Sequence, residues 1–168
     1  RYRINDKLTL TSNLSYYFDP FNFGYVDVFN NTYLMGGRIT NTYITQLSAR
    51  YIFKNDMSLT LIGREYWFNG KYRRIFELLD NGDYLQVNDD ELRNSYNFSY
   101  NFFNVDLLFS WRFAPGSDLN VTYKNIYEPQ TSEQFSFKGN NYQNNMEEVT
   151  TGYPHANNIS IKVLYYLD

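Results

Sequence analysis

An all-β fold is the class this sequence predicts, as the C-terminal portion of an antiparallel transmembrane β-barrel. Three observations predict it. Apolar and polar side chains alternate with period two through long segments. Aromatic residues make up 20% of the chain, with 18 Tyr and 14 Phe, and aromatic girdles mark the interfaces of membrane barrels. Tight turn signals alternate along the chain with long connections.

The chain opens at Arg1-Tyr2-Arg3-Ile4, which reads as the tail of a strand already under way. Asn5-Asp6 is a tight turn signal. In 7–18, Leu8, Leu10, Leu14, Tyr16 and Phe18 share one side and Lys7, Thr9, Thr11, Asn13, Ser15 and Tyr17 the other. A long connection is expected over 20–41. Tyr43, Thr45, Leu47, Ala49, Tyr51 and Phe53 then share a side, opposed by Gln46, Ser48, Arg50 and Lys54. After the turn Asn55-Asp56, Met57, Leu59 and Leu61 begin an apolar side that Glu65 would interrupt. A bulge at Gly63 would flip the register there and put Tyr66 and Phe68 outward. A second long connection is expected over 70–95, with Tyr72, Ile75, Phe76 and Leu79 at the spacing of a short helix within 71–80.

The alternation is cleanest over 103–113, where Phe103, Val105, Leu107, Phe109, Trp111 and Phe113 oppose Asn104, Asp106, Ser110 and Arg112. Pro115-Gly116 turns the chain, and Leu119, Val121 and Tyr123 oppose Asn120, Thr122 and Lys124. A third long connection is expected over 128–157. Ile159, Ile161, Val163, Tyr165 and Leu167 close the chain opposite Ser160, Lys162, Tyr166 and Asp168. This gives about seven strands in one domain over 1–168, with the strands that would complete the barrel expected upstream.

Charge decides which side meets lipid. A lipid-facing Lys or Arg at the bilayer midplane costs about 2–4 kcal/mol, so the uncharged sides are expected to face lipid: Leu10, Leu47, Phe103, Leu107, Phe109, Trp111, Val121, Ile161 and Val163. The lumen side is expected to carry Arg50, Arg64, Asp106, Arg112, Lys124 and Lys162. Mean hydropathy is −0.57, and no apolar run reaches the roughly 18 residues a transmembrane helix requires. A soluble sandwich would produce the same alternation, but its strands run to only about 5–6 residues. Cysteine is absent, which excludes a disulfide scaffold and Cys-ligated zinc. The net charge of −3, with scattered Lys and Arg, predicts no nucleic-acid partner.

Candidate chemistry is sparse. His155 is the one histidine and reads as an exposed loop residue. Asp80-Asn81-Gly82-Asp83 and Asp89-Asp90-Glu91 lack EF-hand spacing and read as solvated loop, with calcium as the alternative. Phe21, Phe23, Tyr25 and Tyr33, and Phe135, Phe137 and Tyr142, suit either sugar stacking or loop packing and girdle. No catalytic residue, metal site or cofactor is expected.

Two stretches carry a family resemblance: Gly36-Gly37-Arg38 with 43–51, 59–61 and 76–79, and the run from Phe103 to Leu119. With the ending Ile161–Asp168, they resemble the C-terminal region of a Bacteroidota-type outer-membrane family. Its members place a carbohydrate-binding family 9-like domain ahead of a large domain of unknown function. The resemblance implies a bacterial outer-membrane location, and the alternation of short and long connections predicts short turns and C-terminus periplasmic with long loops extracellular. It implies a glycan-associated binding or transport role, with outer-membrane lipid, a glycan ligand and other outer-membrane proteins as partners. A barrel subunit of a larger complex is the alternative, and an outer-membrane hydrolase ranks last.

Overall fold

The computed structural model describes residues 1–127, 142–147, 149–150 and 155–167. Eight strands form one antiparallel sheet: β1 (Tyr2–Arg3), β2 (Leu8–Phe29), β3 (Thr32–Lys54), β4 (Met57–Leu78), β5 (Tyr84–Val87), β6 (Phe98–Ala114), β7 (Ser117–Tyr127) and β8 (Ala156–Leu164). The order is β1-β2-β3-β4-β6-β7-β8, with β5 paired to the far end of β4. Among the described residues two short α-helices lie in the connections, α1 (Asp90–Ser95) and α2 (Tyr142–Glu147). The sheet is not closed: β1 and β8 are its edges and do not pair with each other.

The three tight turns fall where the turn residues stand. The Asn5 side chain accepts from the backbone N–H groups of Lys7 and Leu8, holding the first turn as Asx turns do. Gly116 takes φ +72° after Pro115, a conformation that costs glycine little. These turns gather at one end of the sheet, the turn end.

The opposite end departs from expectation. The connection expected over 20–41 is strand almost throughout: β2 and β3 run 22 and 23 residues and meet at Asn30-Asn31, with φ +49° and +64°. Positive φ at both central residues is the geometry of a tight hairpin that follows strand twist. Pro20, which donates no backbone hydrogen bond, sits inside a bulge between Asp19 and Asn22, one of the few places a strand tolerates proline.

The short helix expected within 71–80 is likewise strand, since β4 continues to Leu78 and pairs with β3 and then β5. Arg38 opposes Tyr72 and Gly37 opposes Arg74, so Arg73 is the extra residue of a bulge. That bulge puts Tyr72 and Ile75 on one face, three apart, imitating a helical repeat. The bulge expected at Gly63 does not exist. Gln46, Leu47 and Ser48 pair in unbroken register with Arg64, Gly63 and Ile62. Glu65 therefore stays on the side that begins with Leu59 and Leu61.

The register defines two faces. The Leu61 face carries the cross-strand row Leu10, Ala49, Leu61, Leu107, Tyr123 and Ile159, and next to it Leu8, Tyr51, Leu59, Phe109, Val121 and Ile161. The Arg64 face carries Thr9, Arg50, Thr60, Leu108, Thr122 and Ser160, and Asn13, Gln46, Arg64, Asn104 and Ile126. At the hairpin end a small core forms on the Arg64 face. Leu34, Tyr72 and Ile75 are buried there, packed by Val26, Val87 of β5, Leu92 of α1, Tyr96 at its C-terminal end, and Phe98. A Cβ on Gly36 would lie 2.6 Å from the Tyr72 ring and 2.7 Å from Val26, so this close packing requires glycine. Asp89 caps α1 by accepting from the Leu92 N–H.

Candidate functional site

The strongest candidate for function is the two-sided middle and turn end of the sheet. Leu10, Leu47, Phe103, Leu107, Phe109, Trp111, Val121, Ile161 and Val163 fall together on the Leu61 face. Arg50, Arg64, Asp106, Arg112, Lys124 and Lys162 fall together on the other. Many of the apolar side chains are open: Leu47, Leu61, Ile159, Ile161 and Val163 are all exposed. An aliphatic surface this broad and this unburied is a surface that something else covers.

Aromatic rings border that surface on both sides. Toward the turn end lie Tyr51 and Phe53, 4.9 Å apart, Trp111 and Phe113, 5.8 Å apart, and Tyr165 stacked on Phe113 at 6.3 Å. Toward the hairpin end Tyr16 meets Tyr43 at 4.8 Å and Tyr43 stacks on Trp67 at 4.8 Å. Tyr142 of α2 lies 6.3 Å from both Tyr43 and Trp67.

Glu65 sits between the aliphatic belt and the upper aromatic row. It is 3% exposed. Its carboxylate accepts from the Tyr142 hydroxyl at 2.6 Å and the Asn145 amide at 3.1 Å. A buried carboxylate needs such partners, and α2 brings both. The charge that interrupts the apolar side is thus a docking point for α2. Periodicity within β4 could not reveal this, because the partners lie about eighty residues downstream.

On the Arg64 face, the Asp106 carboxylate bonds the Arg64 guanidinium at 2.5 Å and lies 3.8 Å from Lys124. Arg112 pairs with Asp118 at 3.1 Å. Arg50, Lys54 and Arg112 border a concavity of about 570 Å³ at the turn end. Arg50 and Lys162 have no ion-pair partner among the described residues. This face therefore offers cationic, hydrated groups over an aliphatic underside.

The remaining candidates are structural. His155 is partly buried rather than exposed. Its Nδ1 bonds the Asn125 side chain at 2.7 Å, and its ring lies 5.8 Å from Tyr127. Asp80–Asp83 forms a turn held by Asn81 and Asp83. Asp90 pairs with Arg93, and among the described residues no cluster of acidic or histidine side chains could hold a metal. Burial and the Asp27 carboxylate raise the Tyr96 phenol above its usual pKa. Phe135 and Phe137 lie outside the described residues.

Among protein families, one whose members share a domain of unknown function, DUF5916, matches residues 1–168. The chain belongs to the DUF5916 family. The match spans both faces of the DUF5916 sheet, from β1 to β8. No curated protein and no solved structure matches it.

Proposed function

We propose that this chain is part of the wall of a bacterial outer-membrane β-barrel, with the Leu61 face against lipid and the Arg64 face lining the lumen. The observation that carries this is the aliphatic belt held between two aromatic rows, in which Glu65 is the one charge among the described residues and is covered by Tyr142 and Asn145 of α2. From Met57, beside Trp111, to Trp67 is ten residues along β4, or about 33 Å of strand. At a tilt of ~40° that spans about 25 Å, the height of the apolar band of such barrels. Lipid has no water to satisfy an open strand edge. Closure therefore requires strands beyond those of this sheet, pairing at β1 and β8. With the turn end periplasmic, the long β2–β3 hairpin, α1 and β5 stand outside the cell.

The role of the barrel is glycan-associated binding or transport. Exposed aromatic rings at the hairpin end, among them Phe21, Phe23, Tyr25 and Tyr33, support it, since such rings stack on sugars. The alternative, a barrel subunit within a larger outer-membrane complex, draws on the same exposed rings as a protein-docking surface.

Fractionation of the full-length protein tests the membrane assignment. It is expected to remain in the outer-membrane fraction after an alkaline wash, and to migrate faster on gels unheated than heated. Release into the soluble fraction would contradict the assignment.

A further inference from the structure

At the hairpin end the Leu61 face carries a groove of about 430 Å³, within the range of small-ligand sites. Three strands build it. Phe23 of β2 opposes Gly37 of β3, and Gly37 opposes Arg74 of β4. Glycine adds no side chain at the centre, so the Phe23 ring stays open beside it. The rings of Phe23, Phe76 and Tyr84 cluster with centroids 5.5 to 6.2 Å apart. The β2 bulge supplies Pro20 and Phe21 as one wall, and Phe21 is 85% exposed. The β4 bulge pushes Arg73 out next to Arg74 as the other.

Neither Arg73 nor Arg74 has an ion-pair or hydrogen-bond partner among the described residues. Arg38, which also borders the groove, is already committed to Asn22 and the Tyr72 hydroxyl. The chain as a whole is acidic, at −3, so two adjacent unpaired guanidinium groups do not follow from general basicity. Flat rings match the C–H face of a sugar. Guanidinium forks match a carboxylate in two-point contact.

We infer that this groove binds an anionic saccharide, a polyuronate-type chain, with a sugar ring on Phe23 and Phe76 and its carboxylate held by Arg73 and Arg74. The inference rests on the proposed glycan role and narrows it to acidic sugars. A neutral sugar would leave the arginines unused. A bare anion would leave the rings unused.

Calorimetric titration of the full-length protein in detergent tests it, with a galacturonic acid trimer, maltotriose and inorganic phosphate as probes. The acidic trimer is expected to bind about tenfold more tightly than either comparison probe. Its affinity is expected to fall as salt rises from about 50 to about 500 mM. Arg73→Ala with Arg74→Ala, and separately Phe23→Ala with Phe76→Ala, should each weaken it about tenfold, while Arg3→Ala at the turn end leaves it unchanged. These side chains lie on the surface, and the salt dependence of the unaltered protein stands as a second measure. Equal binding of maltotriose would overturn the acidic assignment and leave the glycan role standing. Equal binding of phosphate, insensitive to the Phe substitutions, would reduce the groove to an anion site and overturn the inference. No binding of any oligosaccharide would overturn the inference and the glycan role together.

Discussion

The turn end and the hairpin end of the sheet share the same continuous strands yet carry their aliphatic side chains on opposite faces. At the turn end the Leu61 face is aliphatic and open while the Arg64 face holds Arg50, Arg64, Asp106 and Lys124. At the hairpin end the Arg64 face buries the Leu34–Tyr72–Ile75 core under α1 and β5. There the Leu61 face holds Glu65, Asn69 and Asn101, with α2 docked on Glu65. The hairpin end supplies its own cover and makes a core. The turn end leaves its apolar side for an external solvent. The crossover lies at the level of Glu65 and Trp67, where the upper aromatic row runs. A sheet in one uniform environment would have no reason to exchange its faces partway along a strand.

Substitutions that treat the two ends differently test this contrast. A large effect is expected from Leu61→Arg or Leu107→Arg. Each should cost about 2–4 kcal/mol in lipid vesicles, whereas Thr60→Arg, on the other face, should cost under about 1 kcal/mol. Urea unfolding followed by tryptophan fluorescence measures both. Equal costs on the two faces would erase the distinction.

A comparable loss, about 2–5 kcal/mol, is expected for Ile75→Ala in the hairpin-end core. Amide exchange should show it confined to α1, β5 and the neighbouring half of β4, with β6 and β7 at the turn end still protected. Loss of protection throughout the sheet would mean that the ends are a single cooperative unit.

Glu65→Leu should release α2. It removes the acceptor for Tyr142 and Asn145 and strands their donors, at about 1–3 kcal/mol. Faster exchange in 142–147 is the expected readout, with the belt unaffected. A smaller effect, about 1 kcal/mol, is expected for Asp106→Asn, because Arg64 and Lys124 are half-exposed and water can replace part of the ion pair around the buried Asp106 carboxylate. A loss of several kcal/mol would mean that this cluster is dry.

Legibility in the sequence followed the same division. At the turn end, period-two alternation, Asn5-Asp6, Asn55-Asp56 and Pro115-Gly116 gave the strands, the turns and which residues share a face, because nothing there competes with the pleat. At the hairpin end two expectations failed, the connection over 20–41 and the short helix within 71–80. Pro20 sits in a bulge, Asn30-Asn31 form a hairpin tip, and the Arg73 bulge gives Tyr72 and Ile75 a helical spacing. Each is a local exception that pairing with neighbouring strands overrides. Glu65 was legible as an anomaly, and a bulge at Gly63 was the local way to remove it. The actual remedy comes from α2, which the register of β4 says nothing about. The groove by Arg73 was illegible for the same reason, since two bulges on different strands create it.

Solvent accessibility along β4 tests the central claim most directly, and these 168 residues contain no native cysteine to compete with an introduced one. Single cysteines placed in turn at Ser58 through Ile62 of the full-length protein in vesicles would carry spin labels. Collision with oxygen, which concentrates in lipid, should dominate at Leu59 and Leu61, and collision with a water-soluble nickel complex at Ser58, Thr60 and Ile62. Labels at Leu59 and Leu61 that meet the nickel complex, or neither reagent, would contradict the account.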